Sequence, residues 1–165
     1  HSTIIIENTN ISELGKNKSY KRVPENVTLT SLSSKNNFIW EATHDGYKNN
    51  FKKRIKRKLT LSNNKFKILG EDSIMSFRLN NNKILFNIRF HLTTNCNATL
   101  SRDAKTVMIK TKMKNSFLFK SNEKLLIEES IVILDGKNIE RTSQIVISTY
   151  INSIKKIVKW SLEEF

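Results

Sequence analysis

One cysteine, Cys96, stands in the whole chain, so no intrachain disulfide can form. A single proline and four glycines leave few of the usual turn formers. The bends must then come from Asn, Asp, Ser and Lys. Clusters of these punctuate the sequence at Asn36-Asn37, Asn49-Asn50, Asn63-Asn64 and Asn80-Asn81-Asn82. No apolar run approaches the roughly 20 residues of a membrane-spanning helix. There is no Gly-rich phosphate loop, no Gly-x-Ser-x-Gly elbow and no His or Cys pair at metal-binding spacing. The familiar sequence signatures of phosphate transfer, serine hydrolysis and zinc chemistry are therefore missing.

What remains is a chain of 165 residues with 38% hydrophobic content. That length predicts one domain, 1–165, able to bury roughly 70% of its unfolded surface. The hydrophobic content is too high for a disordered segment. The formal net charge is +14 and the pI near 10.0. Such a balance points to an anionic partner: nucleic acid, acidic polysaccharide or an anionic membrane surface. A Lys-rich coding bias that keeps the domain soluble explains it equally well, since Lys occurs in almost every segment. The run Lys52-Lys53-Arg54-Ile55-Lys56-Arg57-Lys58 stands out. The chain starts His1-Ser2-Thr3 and enters Ile4-Ile5-Ile6 without a Met, so we expect it to be the C-terminal part of a larger protein.

Period-2 patterning dominates. In 84–92, Phe86, Ile88, Phe90 and Leu92 fall on one face, and Asn87, Arg89 and His91 on the other. In 54–61, Arg54, Lys56, Lys58 and Thr60 oppose Ile55, Arg57, Leu59 and Leu61. Further strands are predicted at 2–7, 26–33, 37–43, 65–69, 73–79, 105–110, 115–120, 124–134, 140–150 and 155–162. Asp45-Gly46 and Asp135-Gly136 read as hairpin turns, because both residue types tolerate positive φ. Segment 154–160 has helical spacing, but its β-branched content favours a strand. Residues 8–24, with the only proline, read as a loop excursion. The pattern predicts an all-β fold, an antiparallel two-layer β-sandwich.

Three histidines are present, His1, His44 and His91. His91 shares a polar strand face with Arg89 and Asn87, which suits contact with an anionic ligand; a hydrogen-bonded structural histidine is the plainer account. His44-Asp45-Gly46-Tyr47 lies at a strand end, where sites are often built. His and Tyr there serve as base, acid or sugar-stacking groups, or simply pack beside a turn.

In order along the chain stand Trp40-Glu41-Ala42-Thr43-His44-Asp45-Gly46-Tyr47, Arg57-Lys58-Leu59-Thr60-Leu61, Leu69-Gly70-Glu71-Asp72 and Ile88-Arg89-Phe90-His91-Leu92. Ile127-Glu128-Glu129-Ser130, Gln144-Ile145-Val146 and Val158-Lys159-Trp160-Ser161-Leu162 follow, and His1-Ser2-Thr3-Ile4-Ile5-Ile6 precedes them. The ordered set resembles the C-terminal β-domain of the heparinase II/III-like polysaccharide lyases. The resemblance implies a β-sandwich preceded by an α/α-toroid. It also implies cleavage of uronate-containing polysaccharide by β-elimination. That reaction needs a neutralised C5 carboxylate, a base for the α-proton and a proton for the leaving oxygen. In the family the Asn, Tyr and His that supply these lie mostly in the toroid and in a His-rich stretch upstream of His1. No catalytic residue is therefore expected here.

The resemblance further aligns His1 with a histidine that looks like a ligand of structural zinc. It thus implies zinc in the full-length protein and none in this stretch alone. Where many relatives carry a His-Arg-Arg-like strand, this chain has Ile55-Lys56-Arg57. Substrate contacts are expected from His44, Tyr47, Arg54, Arg57, Arg89 and His91. The implied partners are an acidic polysaccharide and the toroid, with no nucleic acid and no membrane span. The implied compartment is the bacterial cell envelope or periplasm. Two rivals stay open: a non-catalytic carbohydrate-binding or interaction module, and a nucleic-acid-binding β-protein. The second would want exposed aromatics interleaved with basic residues, whereas most aromatics here fit apolar faces.

Overall fold

The computed structural model describes residues 2–17, 19–62, 66–78 and 82–165. His1 and the expected turns at Asn63-Asn64 and Asn80-Asn81 lie outside the described residues. In chain order the elements are β1 (Ile4–Ile6), β2 (Glu13–Leu14), β3 (Tyr20–Arg22), β4 (Val27–Ser33), β5 (Asn37–His44), α1 (Lys48–Phe51), β6 (Lys53–Ser62) and β7 (Lys67–Ser76). They continue with β8 (Ile84–His91), β9 (Cys96–Leu100), β10 (Thr106–Thr111), β11 (Ser116–Ser121), β12 (Leu125–Leu134), β13 (Asn138–Ile151) and β14 (Lys155–Glu164). Two antiparallel sheets carry the fold. One is four-stranded, β1-β8-β13-β12; the other is eight-stranded, β4-β5-β6-β7-β14-β11-β10-β9. The two-layer sandwich expected from the alternation is what forms.

The sheets bury their apolar faces against each other. Ile4, Ile6, Phe86, Ile88, Ile145 and Ile147 from the small sheet meet Ile55, Ile74, Val107, Phe119 and Val158 from the large one. Each of these side chains falls on the inward face of its strand by period 2. Burying a side chain of this size contributes about 1.5–3 kcal/mol, so the shared layer dominates stability. The terminal segment is a strand, β14, and it lies inside the large sheet between β7 and β11.

Four expectations need correction. The strands expected at 65–69 and 73–79 are replaced by one continuous strand, β7 (Lys67–Ser76), which runs through Gly70-Glu71-Asp72. The excursion 8–24 contains the small β2–β3 ladder. β9 escaped notice because Cys96-Asn97-Ala98-Thr99-Leu100 offers only a weak apolar face at a sheet edge. Asp45-Gly46 makes no tight hairpin: α1 intervenes before β6, and the positive φ falls on Lys52, at 55°. Asp135-Gly136 does turn the chain, with φ of 52° and 68° and the Lys137 N–H donating to Leu134 O at 3.1 Å.

The sheets differ in width, and the large one overhangs. Every residue of β4 is exposed. By register, Val27, Leu29, Phe38 and Trp40 lie on the same face as Ile55, Leu59 and Leu61, yet they are uncovered. Phe38 and Trp40 stack with centroids 6.0 Å apart.

Candidate functional site

The residues that carried the resemblance meet between the sheets. β6, β7 and β14 are neighbours, and register sets Arg57 opposite Asp72, Asp72 opposite Val158, and Gly70 opposite Trp160. The Asp72 carboxylate, 1% exposed, accepts from Arg57 Nε at 2.6 Å and Nη2 at 2.9 Å. It also accepts from the Trp160 indole N–H at 2.8 Å. Such a two-pronged pairing is the geometry that makes a buried carboxylate tolerable. Arg57 Nη1 donates to Ser2 O at 2.8 Å, and its guanidinium lies 5.6 Å from the Phe90 ring centroid. Phe90 comes from the small sheet and packs on Trp160 and Phe119 at 4.8 and 4.7 Å. The Trp160 indole occupies the space beside Gly70, where a Cβ would stand 2.1 Å from Trp160 Cε2. Arg57 therefore has its donors committed to the fold, and this cluster ties the two layers together.

The His44–Tyr47 corner is also structural in its contacts. Asp45 Oδ1 accepts from the Glu25 and Asn26 N–H groups at 3.0 Å each, and Oδ2 from Asn26 Nδ2 at 2.8 Å. These hydrogen bonds hold its carboxyl below the usual range. Gly46 N–H donates to His44 Nδ1 at 3.3 Å, which fixes that nitrogen as an acceptor. Burial, aided by the Arg57 charge and opposed by Asp45, pushes the His44 pKa down. Tyr47 is fully buried, and its hydroxyl sits 2.8 Å from Ile4 O and 2.9 Å from Thr9 O. Desolvation raises that phenol further above its ordinary value. The two rings lie 6.0 Å apart, and the Tyr47 hydroxyl is engaged by the Ile4 and Thr9 carbonyls.

Arg89 and His91 stand on the outward face of the small sheet, as their alternation predicted. Arg89 Nη1 meets Glu128 Oε2 at 2.7 Å, spanning β13 from one flank to the other. Val146, paired with Arg89 across the ladder, is fully buried on this outward face. Gln144 Nε2 also donates to Glu128 Oε2, at 3.3 Å, while its buried Oε1 has no partner. His91 Nδ1 lies 2.8 Å from Ser130 Oγ. Partial desolvation, with the nearby Arg89 cation, lowers its pKa. Arg54 lies elsewhere again, on the outward face of the large sheet, with its guanidinium 5.2 Å from the Phe77 ring.

The six expected substrate contacts thus fall on separate surfaces. Only Arg89 and His91 share one, and His44 and Tyr47 another. Sequence reasoning missed the partners Asp72, Trp160, Glu128 and Ser130, because pairing across strands is invisible until register is known. Among the described residues no group of three or more His, Cys, Asp or Glu side chains gathers as a metal site. The zinc expectation rests on His1, which lies outside the described residues.

The chain is a two-layer β-domain of unequal antiparallel sheets, cross-tied by an arginine–aspartate–tryptophan cluster. The sequence pattern described as heparinase II/III-like, C-terminal, matches residues 1–161, and the chain belongs to that family. No curated protein sequence matches it. Among solved structures, the heparan sulfate lyase HepC of Pedobacter heparinus superposes with a TM-score of 0.79 at 14% identity, over 100% of this chain and 24% of that one. A heparinase III gene product gives 0.75 at 10% identity, over 100% and 24%. An aldose 1-epimerase described as putative, from Escherichia coli K12, gives 0.52 at 8% identity, over 99% and 84%. At these identities the likeness establishes the fold. The chain spans about a quarter of the length of the lyases it superposes on.

Proposed function

We propose that this chain is the C-terminal domain of a lyase that cleaves uronate-containing acidic polysaccharide by β-elimination. In this reading it braces the toroid and forms one wall of the substrate cleft. Membership of the family supports the lyase class. The observation that carries the bracing role is the overhang. Val27 and Leu29 are 67% and 69% exposed, beside the exposed stacked pair Phe38 and Trp40. An apolar shelf of this kind, continuous with a core face, fits a second protein layer.

In this reading the groups that abstract and return the proton are supplied from outside the described residues. Tyr47 is sealed in the core, and its hydroxyl already has acceptors. His91 pairs with Ser130, Nδ1 to Oγ at 2.8 Å. Arg89 and His91 are the contacts we retain for acidic sugar on the small sheet. Zinc enters this proposal only through His1, with its other ligands supplied from outside these residues. The bacterial cell envelope is the matching compartment, since polymeric uronates are met outside the cytoplasm.

The test mixes the chain with heparan sulfate, alginate and related polymers and follows absorbance of the unsaturated uronate product. We expect no turnover from this chain alone and turnover from a longer protein that contains it. Clear product from the 165-residue chain would overturn the assignment of the catalytic groups to the toroid.

A further inference from the structure

We propose a second polysaccharide contact, away from any cleft: a subsite for an acidic sugar residue on the outward face of the eight-stranded sheet. A depression of about 260 Å³ lies there between Lys120 and Lys159, with Leu69, Ser121, Asn122 and Ser161 around it. Register places Leu69, Ser161 and Lys120 side by side on one row of that face, from β7, β14 and β11. Leu69 is 45% exposed, an aliphatic floor in an otherwise polar surface. The C–H face of a pyranose suits such a floor, while the flanking ammonium groups suit its carboxylate or sulfate.

The charge continues beyond the depression. The adjacent row reads Lys58, Glu71, Lys159 across β6, β7 and β14, and a further row sets Arg54 and Lys155 on either side of Met75. Cations on β6 and β14 are two strands apart, about 10 Å, with β7 as a trough between them. Lys58, Lys155 and Lys159 have no ion pair among the described residues. Lys120 shares Glu163 with Lys67, at 2.5 and 3.0 Å. Asn122 Oδ1 is taken by the Lys159 N–H at 2.8 Å, which leaves its amide N–H₂ as a donor toward the depression.

A linear polymer carrying one or two anions per sugar fits this trough. A nucleic acid fits it less well, because no aromatic ring lines the depression apart from Trp160, whose indole is committed to the core side. The choice of polysaccharide among polyanions rests on the lyase reading above; the site itself rests on geometry and charge.

Fluorescently labelled heparan sulfate and alginate oligosaccharides provide the probe, with anisotropy measured over a salt series. We expect the 165-residue chain to bind at least one of them, more weakly as salt rises. Lys120→Gln/Lys159→Gln should weaken binding about tenfold, the loss expected from two exposed charge contacts. Lys120→Arg/Lys159→Arg should retain it within about twofold. The control Lys137→Gln/Arg141→Gln removes the same charge from the β12–β13 hairpin of the four-stranded sheet and should change affinity less than about twofold. Equal losses in the two glutamine pairs, no binding by the unaltered chain, or tighter binding of single-stranded DNA would each overturn the subsite. Product formation is scored separately in the longer protein. Loss of the subsite with cleavage intact leaves the lyase reading standing, and cleavage by this chain alone sinks that reading without touching the subsite.

Discussion

Removing the Arg57 side chain tests whether the inter-sheet cluster serves stability or substrate. The Asp72 side chain has 0% exposure, whereas Arg57 keeps 22%. Arg57→Met deletes two donors at once and strands the carboxylate, with only the Trp160 indole left to hold it. Breaking a buried pair from that side costs about 3–5 kcal/mol. A domain of this kind has on the order of 5–15 kcal/mol in total, so the loss is a large fraction. With an m-value of about 2 kcal/mol/M, the urea midpoint should fall by roughly 2 M. Asp72→Leu should cost less, because the stranded guanidinium can reach water. Combining Arg57→Met with Asp72→Leu should recover much of the loss, since an apolar pair pays no desolvation. Equilibrium urea unfolding followed by tryptophan fluorescence reads all three. An Arg57→Met chain within about 1 kcal/mol of the unaltered protein would refute the idea that this ion pair ties the layers.

Other outcomes follow from single contacts. Gly70→Ala places a Cβ 2.1 Å from Trp160 Cε2, so thermal unfolding should show the loss of about 1–3 kcal/mol of an overpacked core, on the order of 10 °C or less in Tm. Lys53 is 3% exposed, and among the described residues its ammonium donates to the Ser76 hydroxyl alone, at 2.6 Å. Burial depresses its pKa, so the unfolded chain binds that proton more readily and stability should rise as pH climbs toward the ordinary lysine value. Lys53→Met should therefore stabilise the fold at neutral pH and flatten that rise, as urea midpoints across the range would reveal. Tyr47→Phe should cost about 1 kcal/mol in unfolding experiments and leave polysaccharide affinity unchanged; a selective loss of affinity would restore Tyr47 as a contact.

Much of the architecture was legible because period 2 is a strong signal. β8, β12, β13 and β14 were found nearly to their ends, and the face containing Ile55 and Arg57 was assigned as it proves to be. What failed did so for tertiary reasons. Gly70 fell between two expected strands, yet it lies within β7, where an indole from another strand fills the space beside it. Asp45-Gly46 was read as a hairpin, yet Asp45 is spent on the backbone of residues about 20 positions earlier. The candidate contacts were harder still. Residue type named Arg54, Arg57 and Arg89 alike, but only register separates a guanidinium locked on Asp72 from one over Phe77 and one bridging to Glu128.

β4 ends the large sheet, and along one side its amide and carbonyl groups meet no further strand among the described residues. From Val27 to Ser33 it carries no charged residue and no proline, the usual guards of an open border. A foreign backbone of matching length can therefore add there as a ninth strand, main chain to main chain. Glu25 and Lys35 stand just beyond either end, so charge flanks this border at its corners and not along its length.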